Sequence, residues 1–345
     1  MSRHQYPTCW IRSKWRALDI FFAATLWCAH APAAISQSVA ADTSAAIRIW
    51  GHGHNGQDYI QTLLTAWQDG FLKAHPGVHF EDTLYGNASA IGGLFTGVAD
   101  IALLDREASF IEVDAYQQGA GYDPFRIPVA RGSVALRYHA PALVVYVNRA
   151  NPLTQLTVQQ LDGIFDADHR RGDHAYKTWG DLGLRGEWAS NSIHLYSYTI
   201  HSAEVQFFER AVLKGSQKFS CCLTLFSSKP DLSAEQQIAA AVAKDKYGLA
   251  ISSMPASDLK AVPLSAGGGA PAVLPTPETI TSGAYPLGRT IYMYVNRKPK
   301  SPVPSNVVAF LNYIVSPEGQ AIISRTGGYL PLAPEVAAEA RKSLK

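Results

Sequence analysis

Ile47-Arg48-Ile49-Trp50, running straight into Gly51-His52-Gly53-His54-Asn55-Gly56, is the stretch on which the fold turns. Its first four residues alternate, the period of a half-buried strand, and the glycines then break the pattern. Beyond them Tyr59, Leu63, Trp67 and Phe71 recur every four residues, with Ile60 and Leu64 alongside. That spacing lays one apolar stripe along a helix, which ends near His75-Pro76-Gly77. Val78-His79-Phe80 begins another strand. Strand, glycine loop, helix and strand in this order open an α/β fold.

The same loop reads G-x-G-x-x-G, with Glu81 25 residues past Gly56, the outline of a dinucleotide-binding turn. No other segment supports a nicotinamide or flavin, so no cofactor is expected. The general property of the loop survives: glycines let a backbone approach a ligand, and free N–H groups at a helix start favour an anion. Gly86-Asn87-Ala88-Ser89-Ala90-Ile91-Gly92-Gly93 reads as a second small-residue loop, and Asp105-Arg106 stands just past the short apolar strand that follows it. Pro141–Asn148 and Ile291–Asn296 are two matching buried strands, with a helix-and-loop region of its own between them. The tail carries a helix opened by Ser305, with Val307, Phe310, Leu311 and Ile314 on one face. Only Gly267–Pro277 reads as a flexible loop.

The chain has 345 residues, 47% hydrophobic and 17% charged, which excludes disordered, collagenous and coiled-coil classes. No run of eighteen apolar residues occurs, so a multi-pass membrane protein is excluded too. Arg3, Arg12, Lys14 and Arg16 precede an apolar run at Ile20–Trp27 and then Ala31-Pro32-Ala33-Ala34. Basic, apolar and small-residue segments in that order mark residues 1–34 as a secretory signal, with a cut anywhere up to residue 41. Without residues 1–34 the chain keeps 26 basic and 27 acidic residues, and this near-neutral balance gives no case for nucleic acid. The expected location is the periplasm. Cys221 and Cys222 remain after export as neighbours. Either they form a strained vicinal disulfide, or they are two thiols with one of them buried.

At Gly97-Val98-Ala99-Asp100-Ile101-Ala102, Val145–Leu153, Leu156–Phe165, Thr178-Trp179-Gly180-Asp181-Leu182-Gly183, Tyr285–Asn296, Ser316-Pro317-Glu318-Gly319-Gln320 and Gly327–Leu332 the chain resembles the phosphate-binding periplasmic proteins of ABC importers. The resemblance implies a type II solute-binding fold: two α/β lobes joined by hinge strands and closing on a ligand in the cleft. It implies lobe one at residues 45–145 plus 285–345 and lobe two at 146–284. Trp179 is then core of lobe two rather than a cofactor platform, and Tyr329-Leu330-Pro331 packs the tail. The implied partners are phosphate or another small anion and an ABC permease, with the receptor a monomer and no enzyme.

The implied ligand set is His52, Gly53, His54, Asn55, Asn87, Ser89, Asp105, Arg106, His201, Ser202 and Glu204. Several of these depart from the family pattern. His52, Gly53, His54 and Asn55 stand where the family has a Gly-Ser-Thr type sequence. Leu104-Asp105-Arg106 lacks the family serine. Tyr198 replaces an arginine, and Ser202-Ala203-Glu204 replaces Ser-Gly-Thr. A phenol in place of a guanidinium removes a bidentate charged partner, and Glu204 adds a like charge. If His52, His54 and His201 converge with Asp105, Arg106 and Ser202, protonated imidazoles substitute for the arginine, and affinity rises as pH falls through about 6.5. The same residue types suit zinc or copper, a reading given less weight because His-x-His is common by chance. A second function on the same fold, an interaction or sensory module without phosphate, follows from the same losses.

Overall fold

The computed structural model describes residues 46–53, 59–172 and 174–345. The basic leader with Cys9 and Cys28, and His54 and Asn55 of the glycine loop, lie outside the described residues. The first sheet starts with β1 (Ile47–Gly51), followed by α1 (Tyr59–Leu72), β2 (Phe80–Thr83), α2 (Asn87–Thr96), β3 (Ile101–Leu104), α3 (Phe110–Ala120) and β4 (Phe125–Arg131). The chain then builds β5 (Val144–Asn148), β6 (Leu156–Thr157), α4 (Val158–Phe165), β7 (His194–Tyr198), α5 (Ala203–Ala211) and β8 (Leu223–Phe226). Next come α6 (Ala234–Lys244), β9 (Gly248–Ser252), β10 (Leu259–Ala261), β11 (Leu264–Ser265) and α7 (Pro277–Thr281). Finally β12 (Thr290–Val295) returns to the first sheet, and α8 (Ser305–Ile314), α9 (Pro317–Thr326) and α10 (Pro334–Ser343) complete the chain.

Two five-stranded sheets result, ordered β2-β1-β3-β12-β4 and β10-β5-β9-β7-β8, beside a small β6-β11 ladder. β1, β2 and β3 are parallel, while β12 runs antiparallel between β3 and β4. In the second sheet β7, β8 and β9 are parallel and β5 lies antiparallel to β9. In each sheet the carboxyl ends of the parallel strands and the start of one antiparallel strand therefore meet along one edge. Loops carrying polar residues gather there, the usual place for a ligand in an open α/β sheet.

Each sheet has its own core. The α1 stripe of Ile60, Leu63, Leu64, Trp67 and Phe71 is buried against the first sheet together with Phe310, Leu311 and Ile314 of α8. The Trp67 indole donates to the Gly319 carbonyl at 2.9 Å, so its one polar atom is satisfied inside the core. The second core holds Phe165, Trp179, Phe208 and Leu249, with the Trp179 indole donating to the Tyr247 carbonyl at 3.2 Å. Tyr329 is buried, and Leu330 pairs with Arg131, so the tail closes on β4.

Three local expectations are revised. The Gly86–Gly93 segment is not a loop: α2 begins at Asn87 because Ala90, Ile91 and Leu94 find a buried face, and Gly97 closes it at φ 74 by donating to helix carbonyls. Gly93 lets α2 lie against β1, since a Cβ there would stand 2.9 Å from the Trp50 ring. Ser305 is the first residue of α8 rather than its cap, a place taken by Pro304. The crossing between sheets also moves. A break after residue 145 would split β5, whereas Ala142 and Leu143 already pack in the second core, as do Tyr285 and Leu287. Apolar residues continuous with β5 and α7 bury where those elements bury.

Candidate functional site

Parallel pairing of β1 with β3 brings the residues after them, His52 and Asp105, to the same edge. Gly51 makes the approach possible. It ends β1 at φ 135, and a Cβ there would lie 2.1 Å from the Leu103 carbonyl oxygen, the acceptor of the His52 N–H at 2.7 Å. β12 starts at this edge because it runs antiparallel to β3, so Arg289, one residue ahead of it, arrives beside Asp105. The Arg289 Nη2 donates to Asp105 Oδ2 at 2.8 Å, and the Asn87 side-chain amide donates to Oδ1 at 2.7 Å. Asn87 Oδ1 in turn accepts the Asp105 backbone N–H at 3.2 Å. His52 Nδ1 stands 3.8 Å from Asp105 Oδ2.

Both members of the Asp105–Arg289 pair are buried, 5% and 2% exposed. Burial alone would push the Asp105 carboxyl up. The Arg289 charge, then His52, the Asn87 hydrogen bond and Arg106 outweigh it and hold the group at about 2. Asp105 is thus an acceptor at every ordinary pH. Arg289 also lies 5.7 Å from the centre of the Phe207 ring on α5, which carries it across to the second sheet.

The facing wall comes from the carboxyl ends of β7, β8 and β9. Tyr198, expected to stand in the place of the family's arginine, spends its hydroxyl on structure. It accepts the Ser253 N–H at 2.7 Å and lies 3.0 Å from Ser253 Oγ, pinning the end of β7 to the end of β9. Burial, helped by the nearby Glu235 and Glu204 carboxylates, raises its pKa and keeps the phenol neutral. Ser202 caps α5, its Oγ accepting the Val205 N–H at 3.2 Å, and Ser233 caps α6 through a reciprocal pair with Gln236. Between these two walls lies a cleft of about 750 Å³, which His52, Asp105, Arg289, Ser202 and Glu204 line.

Contacts between the two halves flank the cleft. Glu107, just past β3, binds Arg210 of α5 at 2.8 Å and also pairs with Arg126 of β4. Arg210 lies 4.1 Å from the centre of the Phe110 ring. On the other side Arg137, in the loop leaving β4, reaches Glu235 of α6 at 3.5 Å. The halves therefore touch on both sides of the cavity they enclose.

The expected ligand set is only partly assembled. His52, Asp105, Ser202 and Glu204 line the cleft, and Asn87 supports Asp105 from behind. Arg106 is buried but forked onto Glu112, at 2.7 and 3.0 Å, so its charge serves the start of α3 instead of a ligand. Ser89 turns back on the Gly86 carbonyl at 2.9 Å. Gly53 is buried beside His52. His201 points away, lining a separate cavity of about 300 Å³ with Phe110 and Glu209, because the turn before α5 directs Ser202 inward and its predecessor outward. His52 and His201 thus do not converge as a substitute for the arginine, and His54 lies outside the described residues. Among the described residues no three His, Cys, Asp or Glu side chains gather into a metal-holding group. Cys221 and Cys222 are both exposed free thiols, so neither is the buried member of the pair.

Arg289 is the residue that motif reading passed over. It lies in the Tyr285–Asn296 stretch that carries the resemblance, a charge directly ahead of the buried run Thr290–Val295. It brings a guanidinium to the cleft from the first sheet, opposite Tyr198 of the second.

A family model described as a PBP superfamily domain matches residues 40–318. The chain is 30% identical over 328 residues to the phosphate-binding protein PstS of Pseudomonas aeruginosa, covering 94% of this chain and 96% of that one. Among solved structures it is similar to PstS from Borrelia burgdorferi, at 16% identity and TM-score 0.54 over 84% of this chain and 99% of that one. It is also similar to an ABC-type phosphate transport receptor from Vibrio cholerae, at 18% identity and TM-score 0.53 over 83% and 100%. With the two-sheet α/β architecture and its cleft, these likenesses identify the chain as a member of the phosphate-binding protein family of the PBP superfamily.

Proposed function

We propose that this protein is an exported, non-enzymic receptor that binds an oxyanion in the cleft between its two lobes and delivers it to an ABC permease. The observation that carries the reading is the buried Arg289 beside a permanently ionised Asp105 at the carboxyl edge of the first sheet. A guanidinium supplies charge and planar donors to an oxyanion. A carboxylate at its side accepts a hydrogen bond from a ligand that still carries a proton and repels one that does not. Kinship with the Pseudomonas aeruginosa phosphate-binding protein supports phosphate chemistry, and the basic-then-apolar leader supports export. Among the described residues no helix is long and apolar enough to cross a membrane. In this reading residues up to about 141 and from about 288 onward form one lobe and the intervening chain the other. A bound ligand touches both walls and stabilises the closed form that the permease recognises.

Calorimetric titration of ligand-stripped protein with phosphate at pH 5.5 and 7.5 tests this. Micromolar or tighter binding that is lost in Arg289→Met is the expected result. No heat at either pH, from phosphate or from its monoesters, retires the reading.

A further inference from the structure

The charges lining the cleft suit a ligand that carries a cation beside its anion better than a bare anion. Among the described residues it is lined by three permanent cations, Arg137, Lys229 and Arg289, and by four carboxylates, Asp105, Glu204, Asp231 and Glu235. Each wall carries both signs, Asp105 standing with the cations of the first half and Lys229 with the carboxylates of the second. Arg289, His52 and Arg137 come from the first half. The second half turns the amino ends of α5 and α6 toward the cavity, and each carries a glutamate in its first turn, Glu204 and Glu235. Their negative charge offsets the positive helix ends that would otherwise attract an oxyanion. Glu235 is paired with Arg137 across the cleft. Glu204 has no ion pair or hydrogen bond from its carboxylate among the described residues, and a carboxylate facing a ligand can only accept. On the opposite wall Arg289, 2% exposed, has a buried Nε with no hydrogen-bond partner.

Size points the same way. The halves already touch through Glu107–Arg210 and Arg137–Glu235, yet about 750 Å³ remains between them. That is the volume of a site for an organic small molecule, and further closure around a single tetrahedral anion would have to break those contacts.

We propose that the ligand is a zwitterion: a phosphate or phosphonate group on a short organic chain that ends in an ammonium, with the oxyanion on the Arg289 wall and the ammonium on Glu204. This rests on the reading of the cleft as an oxyanion receptor and names the class of oxyanion. A charge-paired ammonium answers the unpartnered carboxylate, and the spare donor of Arg289 answers the phosphoryl oxygens. Ethyl phosphate has the same oxyanion and chain but leaves the half-buried Glu204 carboxylate facing an apolar end, a cost that inorganic phosphate shares in part.

The test is titration calorimetry of the full exported chain at pH 7.5 with O-phosphoethanolamine, 2-aminoethylphosphonate, ethyl phosphate and inorganic phosphate. At least one amine-bearing probe should bind 10-fold or more tighter than ethyl phosphate. Glu204→Gln should erase that preference by weakening the amine-bearing probes 10-fold or more; Glu204 is half-buried in the first turn of α5, and an unaltered melting temperature confirms that the variant folds. Equal or tighter binding of ethyl phosphate or inorganic phosphate overturns the zwitterion and leaves the receptor reading standing. A preference that persists in Glu204→Gln overturns the role of Glu204. Absence of binding by all four probes overturns the zwitterion and the oxyanion receptor together.

Discussion

Replacing Arg289 by methionine keeps most of the side-chain volume and removes the charge that Asp105 depends on. In the native protein the Asp105 carboxyl sits at about 2 against an ordinary 3.8, a difference worth about 2 kcal/mol of stability. Because the folded value is the lower one, that stability is present above pH 3.8 and drains away as pH falls toward 2. Without Arg289, burial becomes the dominant influence and pushes the carboxyl above its ordinary value. Removing one partner of a buried pair costs about 3–5 kcal/mol at neutral pH. At about 2 °C per kcal/mol for a chain of this size, the melting temperature should fall by roughly 6–10 °C. The decisive feature is the pH dependence. In the variant Asp105 folds protonated, so the penalty shrinks by up to about 1.4 kcal/mol for each unit that pH drops toward 3.8. Thermal melts of both proteins at pH 8, 6 and 4.5 read this directly, and Asp105→Asn in the variant background should recover part of the loss. A gap between the two proteins that stays constant from pH 8 to 4.5 would refute the buried-pair argument, whatever its size.

Glu209 on α5 is pushed up to about 7 by burial at the small cavity between α3 and α5. Its charged form therefore costs stability above pH 7 and nothing below about 4.5, so Glu209→Gln should raise the melting temperature at pH 8 and leave it unchanged at pH 4.5. Gly93→Ala places a methyl 2.9 Å from the Trp50 ring and should destabilise by about 1–3 kcal/mol in urea melts. Gly92→Ala, one residue earlier with open space around it, should instead stabilise by about 0.5–1 kcal/mol. Glu107→Gln breaks the contact with Arg210 across the halves. Small-angle scattering should show a larger radius of gyration for the ligand-free variant than for ligand-free wild type, with the two equal at saturating ligand.

Much of the architecture was legible because it is written in local periodicity. The stripe from Ile60 to Phe71 recurs on one helix face, and its burial requires a sheet beside it. The matching apolar runs at Val144–Asn148 and Thr290–Val295 needed sheets on either side. The α2 segment was not legible. Its Gly86, Gly92 and Gly93 have turn propensity, and the helix forms because Ala90, Ile91 and Leu94 bury against β1 and β3, which propensity does not encode.

The residues at the site divide along the same line. Asp105 and His52 could be placed from sequence, because each directly follows a strand, and the carboxyl ends of parallel strands collect ligands. By itself the sequence determined the α/β class and the core stripes. Tertiary structure alone decided that Arg289, 184 residues from Asp105 along the chain, becomes its partner at 2.8 Å. It also decided that Arg106, next to Asp105, turns away to Glu112. Neighbours in sequence leave a strand on opposite sides, whereas an antiparallel strand returning from the far end of the chain delivers its first residue to the edge where the cleft opens. The direction of β12 is a property of the assembled sheet, and the charge of the cleft follows from it.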